Sequence, residues 1–251
     1  MEYDEAYDYL LNQIKILHPS IVPLFKMNKE KRFPEFVGSS VYCKLGPKRL
    51  LLSAEHVLTD IFPDKVLYPY SNSLIEELPC NGVKKHKNSK LDVGVVELIA
   101  DLPMWSPIDS SSFGSFNSER SYQHLLVGYP ASSTKNSDRT RTKIELKGYL
   151  TDAANENEYE RLNVSPVDKL IVTFKKQVVF AENMRKMTFP NPNGMSGGAV
   201  FQFHERAPTQ LSLVGVMNEW DTQKKTAIIA TRIEKYTGMF IIRKLVDPSS
   251  P

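Results

Sequence analysis

Three short stretches of this chain hold residue types that together can do acyl-transfer chemistry. LLLSAEHVL carries His56 at the end of an apolar run. KLDVGVVEL opens another such run at Asp92. NPNGMSGGAVF holds Ser196 in a glycine-rich turn ahead of a third. A serine hydroxyl is a weak nucleophile at neutral pH unless an imidazole takes its proton. The imidazole in turn needs a carboxylate to fix its tautomer and stabilise its charged form. Negative charge building on an attacked carbonyl needs backbone N–H donors, and a glycine-rich turn lets neighbouring amides aim at one point. Gly194 and Ser196 are the expected donors, and Gly197 and Gly198 let substrate and backbone come close.

Side chains so far apart in sequence must be carried to one place by a scaffold, and the chain reads as short strands. FVGSSVYCKL, RLLLSA, VGVVEL, HLLVGY, LIVTF, GAVFQF, LSLVGVM and TAIIAT are rich in Val, Ile, Leu and Phe, and turn-forming clusters separate them. Many short strands with loops between them predict an all-β sandwich or barrel. Before them, Tyr3, Tyr7, Leu10, Ile14 and Leu17 recur at helical spacing, and His18-Pro19 ends the pattern. This helix either packs on the body or docks a partner. IEKYTGMFIIRKLV, ahead of Asp247-Pro248, reads as a closing helix. The expected division is a helical extension over 1–19, a first barrel over 20–105, a serine-rich linker over 106–121, a second barrel over 122–232, and a helix with tail over 233–251. The basic runs at 84–87 and 135–143 read as solvated loops.

Composition excludes several classes. With 251 residues, 41% of them hydrophobic and 24% charged, the chain is an ordinary globular one. It has no run of 18 apolar residues, so no membrane span is expected. The N-terminus MEYDEAYDYL is acidic and lacks an apolar core, so no secretory signal is expected. A net charge of +3 is too weak to imply nucleic acid. Two cysteines, Cys43 and Cys80, cannot build a disulfide framework, which suits a reducing cytoplasm. The histidines at 18, 56, 86, 124 and 204 form no zinc-ligand spacing, and no phosphate-binding glycine motif occurs. Neither metal nor cofactor is expected.

GMSGGAVF resembles the nucleophile turn of chymotrypsin-like (trypsin-fold) serine proteases, SAEHV their histidine segment and DVGVVEL their aspartate segment. The order His, Asp, Ser is also theirs. SLVGVMNEW resembles the strand lining their substrate cleft, TAIIATRI the strand after it, and LLVGYP the strand opening the second barrel in bacterial members. The resemblance covers about residues 20–245. It implies two six-stranded antiparallel β-barrels, with helices at either end of the chain and the active site in the cleft between them. His56, Asp92 and Ser196 would be the triad, and Gly194 and Ser196 the oxyanion donors. Phe189, Pro190, Asn191, Asn193, Met217, Asn218, Glu219 and Trp220 would line the primary pocket, with Ala227 or Ile228 on its far wall. No acid stands at the pocket base, where Pro190 aligns, so a preference for Arg or Lys is not indicated. Bulky Ile228 would favour small or aliphatic side chains.

Two departures from the family carry information. The cysteine that usually follows the histidine segment is missing, so its bridge is absent. The residue before the nucleophile is Met195, where secreted zymogens hold an Asp that binds the N-terminal ammonium freed by cleavage. Ser20-Ile21-Val22 looks like such a start, but Met195 cannot make the ion pair. The oxyanion turn must be held in another way, or ordered by an activating protein partner or the substrate. The expected function is a serine endopeptidase acting on protein or peptide substrates, as an intracellular processing or effector enzyme. The alternative is a catalytically silent module of the same fold that binds peptides or partners.

Overall fold

The computed structural model describes residues 9, 12–28, 30, 33–61, 66–69, 75–85, 89–133, 135–136, 142–175, 177–179 and 186–246. In chain order the first half forms β1 (Ile21–Asn28), β2 (Phe33–Leu45), β3 (Lys48–Ala54), helix α1 (Glu55–Ile61), β4 (Leu67–Pro69), β5 (Ile75–Glu77), β6 (Cys80–Lys85), β7 (Val93–Leu98) and β8 (Ile108–Asp109). The second half forms β9 (Tyr122–Gly128), β10 (Lys135–Asn136), β11 (Thr142–Lys143), β12 (Lys147–Thr151), helix α2 (Glu156–Leu162), β13 (Lys169–Thr173), β14 (Gln177–Val179), β15 (Lys186–Thr188), β16 (Ala199–His204), β17 (Ala207–Trp220), β18 (Ala227–Arg232) and helix α3 (Ile233–Val246).

Two large sheets result. The first runs β5-β4-β1-β2-β3-β7-β6 through antiparallel neighbours, with β8 added in parallel against β2. The second has six strands in the order β12-β9-β16-β17-β18-β13. The all-β double-barrel expectation therefore holds, with few helices.

The apolar runs are nearly continuous because both faces of the inner strands are covered. Successive side chains of a strand point to opposite faces. Leu51 and Val96 fill the interior of the first sheet, while their neighbours Leu50, Leu52 and Val95 face a second cluster. In the second sheet Leu126 and Val200 point inward, while Leu125, Val127, Ala199 and Phe201 join that same second cluster. The two sheets thus share one core between them, and α3 adds Ile233 and Tyr236 to it.

Residues 12–17 are helical and run through a short 3-10 turn, His18–Ser20, into β1. Leu17 reaches the shared core, Ile14 lies against Gly148, and Tyr9 meets the Phe203 ring edge-on. Tyr3, Tyr7 and Leu10 of the expected stripe lie outside the described residues. The serine-rich stretch after residue 106 touches both sheets. β8 pairs with β2, and Gly114 N–H donates to Leu213 O of β17 at 3.0 Å. One expected loop needs correcting: Lys84 and Lys85 are ordered in β6, opposite Val95 and Gly94. β6 closes the edge of its sheet. His86 and Lys87 lie outside the described residues. Within 135–143, β10 and β11 pair as a small ribbon, also in place of a plain loop. Among the described residues no helix is long and apolar enough to cross a membrane.

Candidate active site

Strand register brings His56 and Asp92 together. β3 and β7 are antiparallel, with Ala54 opposite Val93, so the residues just beyond, Glu55 and Asp92, meet at the sheet's end. Glu55 N–H donates to Asp92 O at 3.2 Å as the chain turns into α1. Both carboxylate oxygens of Asp92 then engage His56. Oδ1 accepts from the His56 backbone N–H at 3.0 Å, and Oδ2 lies 2.9 Å from Nδ1. Asp92 does this from the left-handed region, at φ 52°, which is uncommon for a residue with a side chain. The bond to Asp92 holds the imidazole above its ordinary pKa against the opposing effect of burial, with Asp60 and Glu219 adding negative field. Burial pushes the Asp92 carboxyl up. The hydrogen bonds and charge of His56, with the charge of Lys169, more than offset this and leave it below the usual carboxylate value.

Ser196 comes from the second sheet, in the turn before β16. Ser39 N–H of β2 donates to Ser196 O at 2.8 Å. A Cβ on Gly38 would sit 2.9 Å from the Val57 side chain and 3.1 Å from Ser196 O, so the serine turn lies against the residue after His56. Among the described residues no hydrogen bond joins the Ser196 hydroxyl to the imidazole. Gly197 is required here: its φ is 85°, and a Cβ would fall 1.9 Å from Ser39 O.

The turn Asn193–Ser196, expected to hold the oxyanion, is fixed by its neighbours. Asn193 O accepts from Ala131 N–H at 2.7 Å, and Met195 N–H closes the turn onto Pro192 O at 2.9 Å. The carbonyl and N–H of a planar trans peptide point opposite ways. Tying the Asn193 carbonyl to Ala131 therefore turns the Gly194 N–H the other way, with Gly194 at φ 89°. The fully buried Ser39 hydroxyl accepts from Tyr129 N–H at 3.0 Å and donates to Gly194 O at 3.3 Å. Met195 points into the second-sheet core, 6% exposed, beside Met217, Val200 and Phe174. Ser39 had no signal in the sequence beyond a run of small residues in a strand.

Sequence reasoning also missed a polar group beneath Asp92. Lys169, at the head of β13, is 8% exposed, and its ammonium donates to Leu91 O (2.7 Å), Asn218 Oδ1 (2.9 Å) and Thr231 Oγ1 (2.7 Å). Asn218 Nδ2 donates to Asp92 O at 2.9 Å. The β17–β18 register shifts between Met217 and Glu219, and a bulge of this kind re-aims the extra residue, here Asn218. Burial brings the Lys169 pKa down to about 8 against the pull of Asp92, Glu219 and Asp168.

An open groove of about 1260 Å³ runs from His56 and Asp92 past Lys169, Asn218 and Glu219 toward Tyr159 on α2. Of the residues expected along the primary pocket, Asn218 and Glu219 line this groove. Met217 and Ile228 are each 2% exposed and face the second-sheet core. Phe189 and Trp220 cap that core as the ends of an aromatic row. Phe189 meets Tyr149 edge-on, Tyr149 meets Phe174, and Phe174 meets Trp220. Asn191 and Asn193 are exposed, and Pro190 is half-buried. Among the described residues no cluster of His, Cys, Asp and Glu could hold a metal ion, and Cys43 and Cys80 are free thiols.

No protein-family profile matches the chain, and no curated protein does. Solved structures do match. The chain is similar to a scabies mite inactivated protease paralogue, with 15% identity and a TM-score of 0.56, over 91% of this chain and 96% of that one. It is similar also to neuropsin, a serine protease expressed in the limbic system of mouse brain, with 16% identity and a TM-score of 0.59, over 91% and 95%. Likeness at this identity speaks to architecture, and the two sheets, their strand order and the comparisons agree: the chain has the chymotrypsin-like double β-barrel fold.

Proposed function

We propose that this protein is a serine endopeptidase in which His56, Asp92 and Ser196 form the triad. The observation that carries the reading is the two-point grip of Asp92 on His56, through Nδ1 at 2.9 Å and the backbone N–H at 3.0 Å. With Nδ1–H given to Asp92, Nε2 is left as the base. Nε2 takes the Ser196 proton as Oγ attacks the scissile carbonyl, and Asp92 stabilises the resulting imidazolium. The oxyanion is met by the N–H groups of Gly194 and Ser196. The imidazolium protonates the leaving amine. A water activated by the same imidazole then hydrolyses the acyl-enzyme. The substrate is a protein or peptide laid along the groove beside His56, and the two free thiols fit a reducing compartment.

A second reading has an observation of its own. The Ser196 hydroxyl has no hydrogen bond to His56 among the described residues, and the aromatic row occupies the region expected to be the primary pocket. A silent, peptide-binding member of the fold would look like this. Catalytic hydrogen bonds are also often long before substrate arrives, so the two readings separate by chemistry. A phosphonate probe that acylates triad serines should label the wild type at Ser196 and leave Ser196→Ala unlabelled. Substitution should lower peptide turnover by about 10⁶, as in other triads. An unlabelled, folded wild type would establish the silent reading.

A further inference from the structure

The serine peptidase reading uses three side chains and leaves one buried cation unexplained. Lys169 has three N–H groups and three acceptors: Leu91 O, Asn218 Oδ1 and Thr231 Oγ1. A protonated lysine is satisfied by such a cage, whereas a neutral amine would turn a lone pair on one acceptor. The ammonium also sets its neighbours. It requires Asn218 to present oxygen to it, which leaves the Asn218 amide nitrogen to donate to Asp92 O. It occupies Thr231 Oγ1 as an acceptor, leaving that hydroxyl's one proton to Leu91 O at 2.5 Å or Asn218 Oδ1 at 2.6 Å, both members of the same cage. The carbonyls of both Leu91 and Asp92 are thus held from β13, β17 and β18. Between them lies the φ of Asp92, in a conformation that residues with side chains keep only when their surroundings impose it.

We propose that Lys169 is a positioning residue, whose ammonium, acting through Asn218 and Thr231, holds the Leu91–Asp92 backbone in the turn that aims the carboxylate at His56. The inference rests on the peptidase reading for its purpose, but its geometry belongs to the aspartate–histidine pair alone. Asp92, Asp168 and Glu219 face the lysine electrostatically, Asp92, Asp60 and Glu219 face the imidazole, and the buried Tyr236 hydroxyl of α3, bonded to Ser53 O, lies in the field of Asp92.

The test is an NMR titration of the His56 ring in wild type and Lys169→Met, with folding checked by thermal unfolding. A lysine that only supplied charge would, when removed, let the imidazole protonate more easily, and the midpoint would rise. A lysine that positions Asp92 releases the carboxylate when removed, and the midpoint falls. The expected result is a fall, with kcat lowered by about 10²-fold at nearly constant KM, the size of effect that misplacing a catalytic group produces. A rise or an unchanged midpoint overturns the proposal. If Lys169→Met does not fold, the isosteric Thr231→Val removes one partner of the lysine and should lower the same midpoint by less. The titration needs no turnover. A wild type that the phosphonate probe fails to label therefore sinks the peptidase reading and leaves the midpoint to decide this proposal by itself.

Discussion

Replacing Met195 by Asp asks whether the oxyanion turn is pegged by an apolar side chain in place of an ion pair. Met195 is 6% exposed among Leu126, Val200, Met217 and other apolar side chains of the second-sheet core. A Cβ on Gly128 would lie 3.3 Å from its Cβ and 3.4 Å from its methyl carbon, so the fit leaves little slack. Losing this burial forfeits about 2 kcal/mol of transfer free energy. A carboxyl group without a partner there adds roughly 1–3 kcal/mol, or more if it stays ionised. The expected destabilisation is therefore about 3–5 kcal/mol, a large share of a normal domain's stability. Met195→Leu keeps volume and polarity and should stay within about 1.5 kcal/mol. Urea unfolding gives the stabilities, and the rate of phosphonate labelling reports whether the turn still presents its donors. Met195→Asp should be slow to label at any urea concentration where it is folded, while Met195→Leu should track wild type. Cleavage ahead of Ile21 should not raise the wild-type rate, because Ile21 is wholly buried inside β1 and the chain before it is joined to the body. Ser20 Oγ bonds to Ser106 O, and His18 stacks on Trp105. The reasoning fails if Met195→Asp is as stable as wild type, or if labelling appears only after that cleavage.

Asp92→Asn should keep the imidazole near its place but in the wrong tautomer, lowering turnover by about 10⁴ as in comparable triads. In wild type, the hydrogen bond from His56 to Asp92 raises the His56 pKa, so the required neutral base is lost as pH falls through a value above the ordinary 6.5. The acid limb of kcat/KM should lie there and move to lower pH in Asp92→Asn; a limb that does not move means another acid orients His56. His124 is fully buried, and among the described residues neither ring nitrogen has a hydrogen-bond partner; burial, outweighing the opposing effect of Asn117, Asp152 and Gln202, lowers its pKa from 6.5 to about 4. The unfolded chain therefore binds the extra proton between those values, so stability should drop as pH falls from about 6.5 to 4, by up to about 3 kcal/mol. Denaturant titrations of wild type and His124→Phe check this, and equal slopes against pH would refute it.

The fold and the aspartate–histidine pair were legible because their signals are local. Each strand is a short run of residues with buried faces, and SAEHV, LDVGVV and GMSGG each sit at the end of one. What escaped depends on partners far away in the chain. Lys169 reads as an ordinary polar residue opening an apolar strand, and only the register of β13 against β18 puts Thr231 beside it. Nothing in VGSSVY distinguishes Ser39, whose hydroxyl finds Tyr129 and Gly194. The bulge that turns Asn218 toward Asp92 is invisible in SLVGVMNEW. The row from Phe189 to Trp220 arises from contacts among four segments that no single stretch reveals.

The core that both sheets share limits how this site could ever be governed. Tyr129 of the second half donates to Ile21 O at 3.0 Å, and Tyr236 of α3 donates to Ser53 O at 3.1 Å, both from fully buried rings. Swinging one half against the other would break these bolts and wet the apolar layer between them, so such a movement amounts to unfolding. His56 and Asp92 on one side and Ser196 on the other are held apart or together by the same cohesion that keeps the molecule folded. A gate built on hinge motion is closed to this protein. Any control of the proposed peptidase must work at the scale of one peptide plane or one rotamer, and leave the frame where it stands.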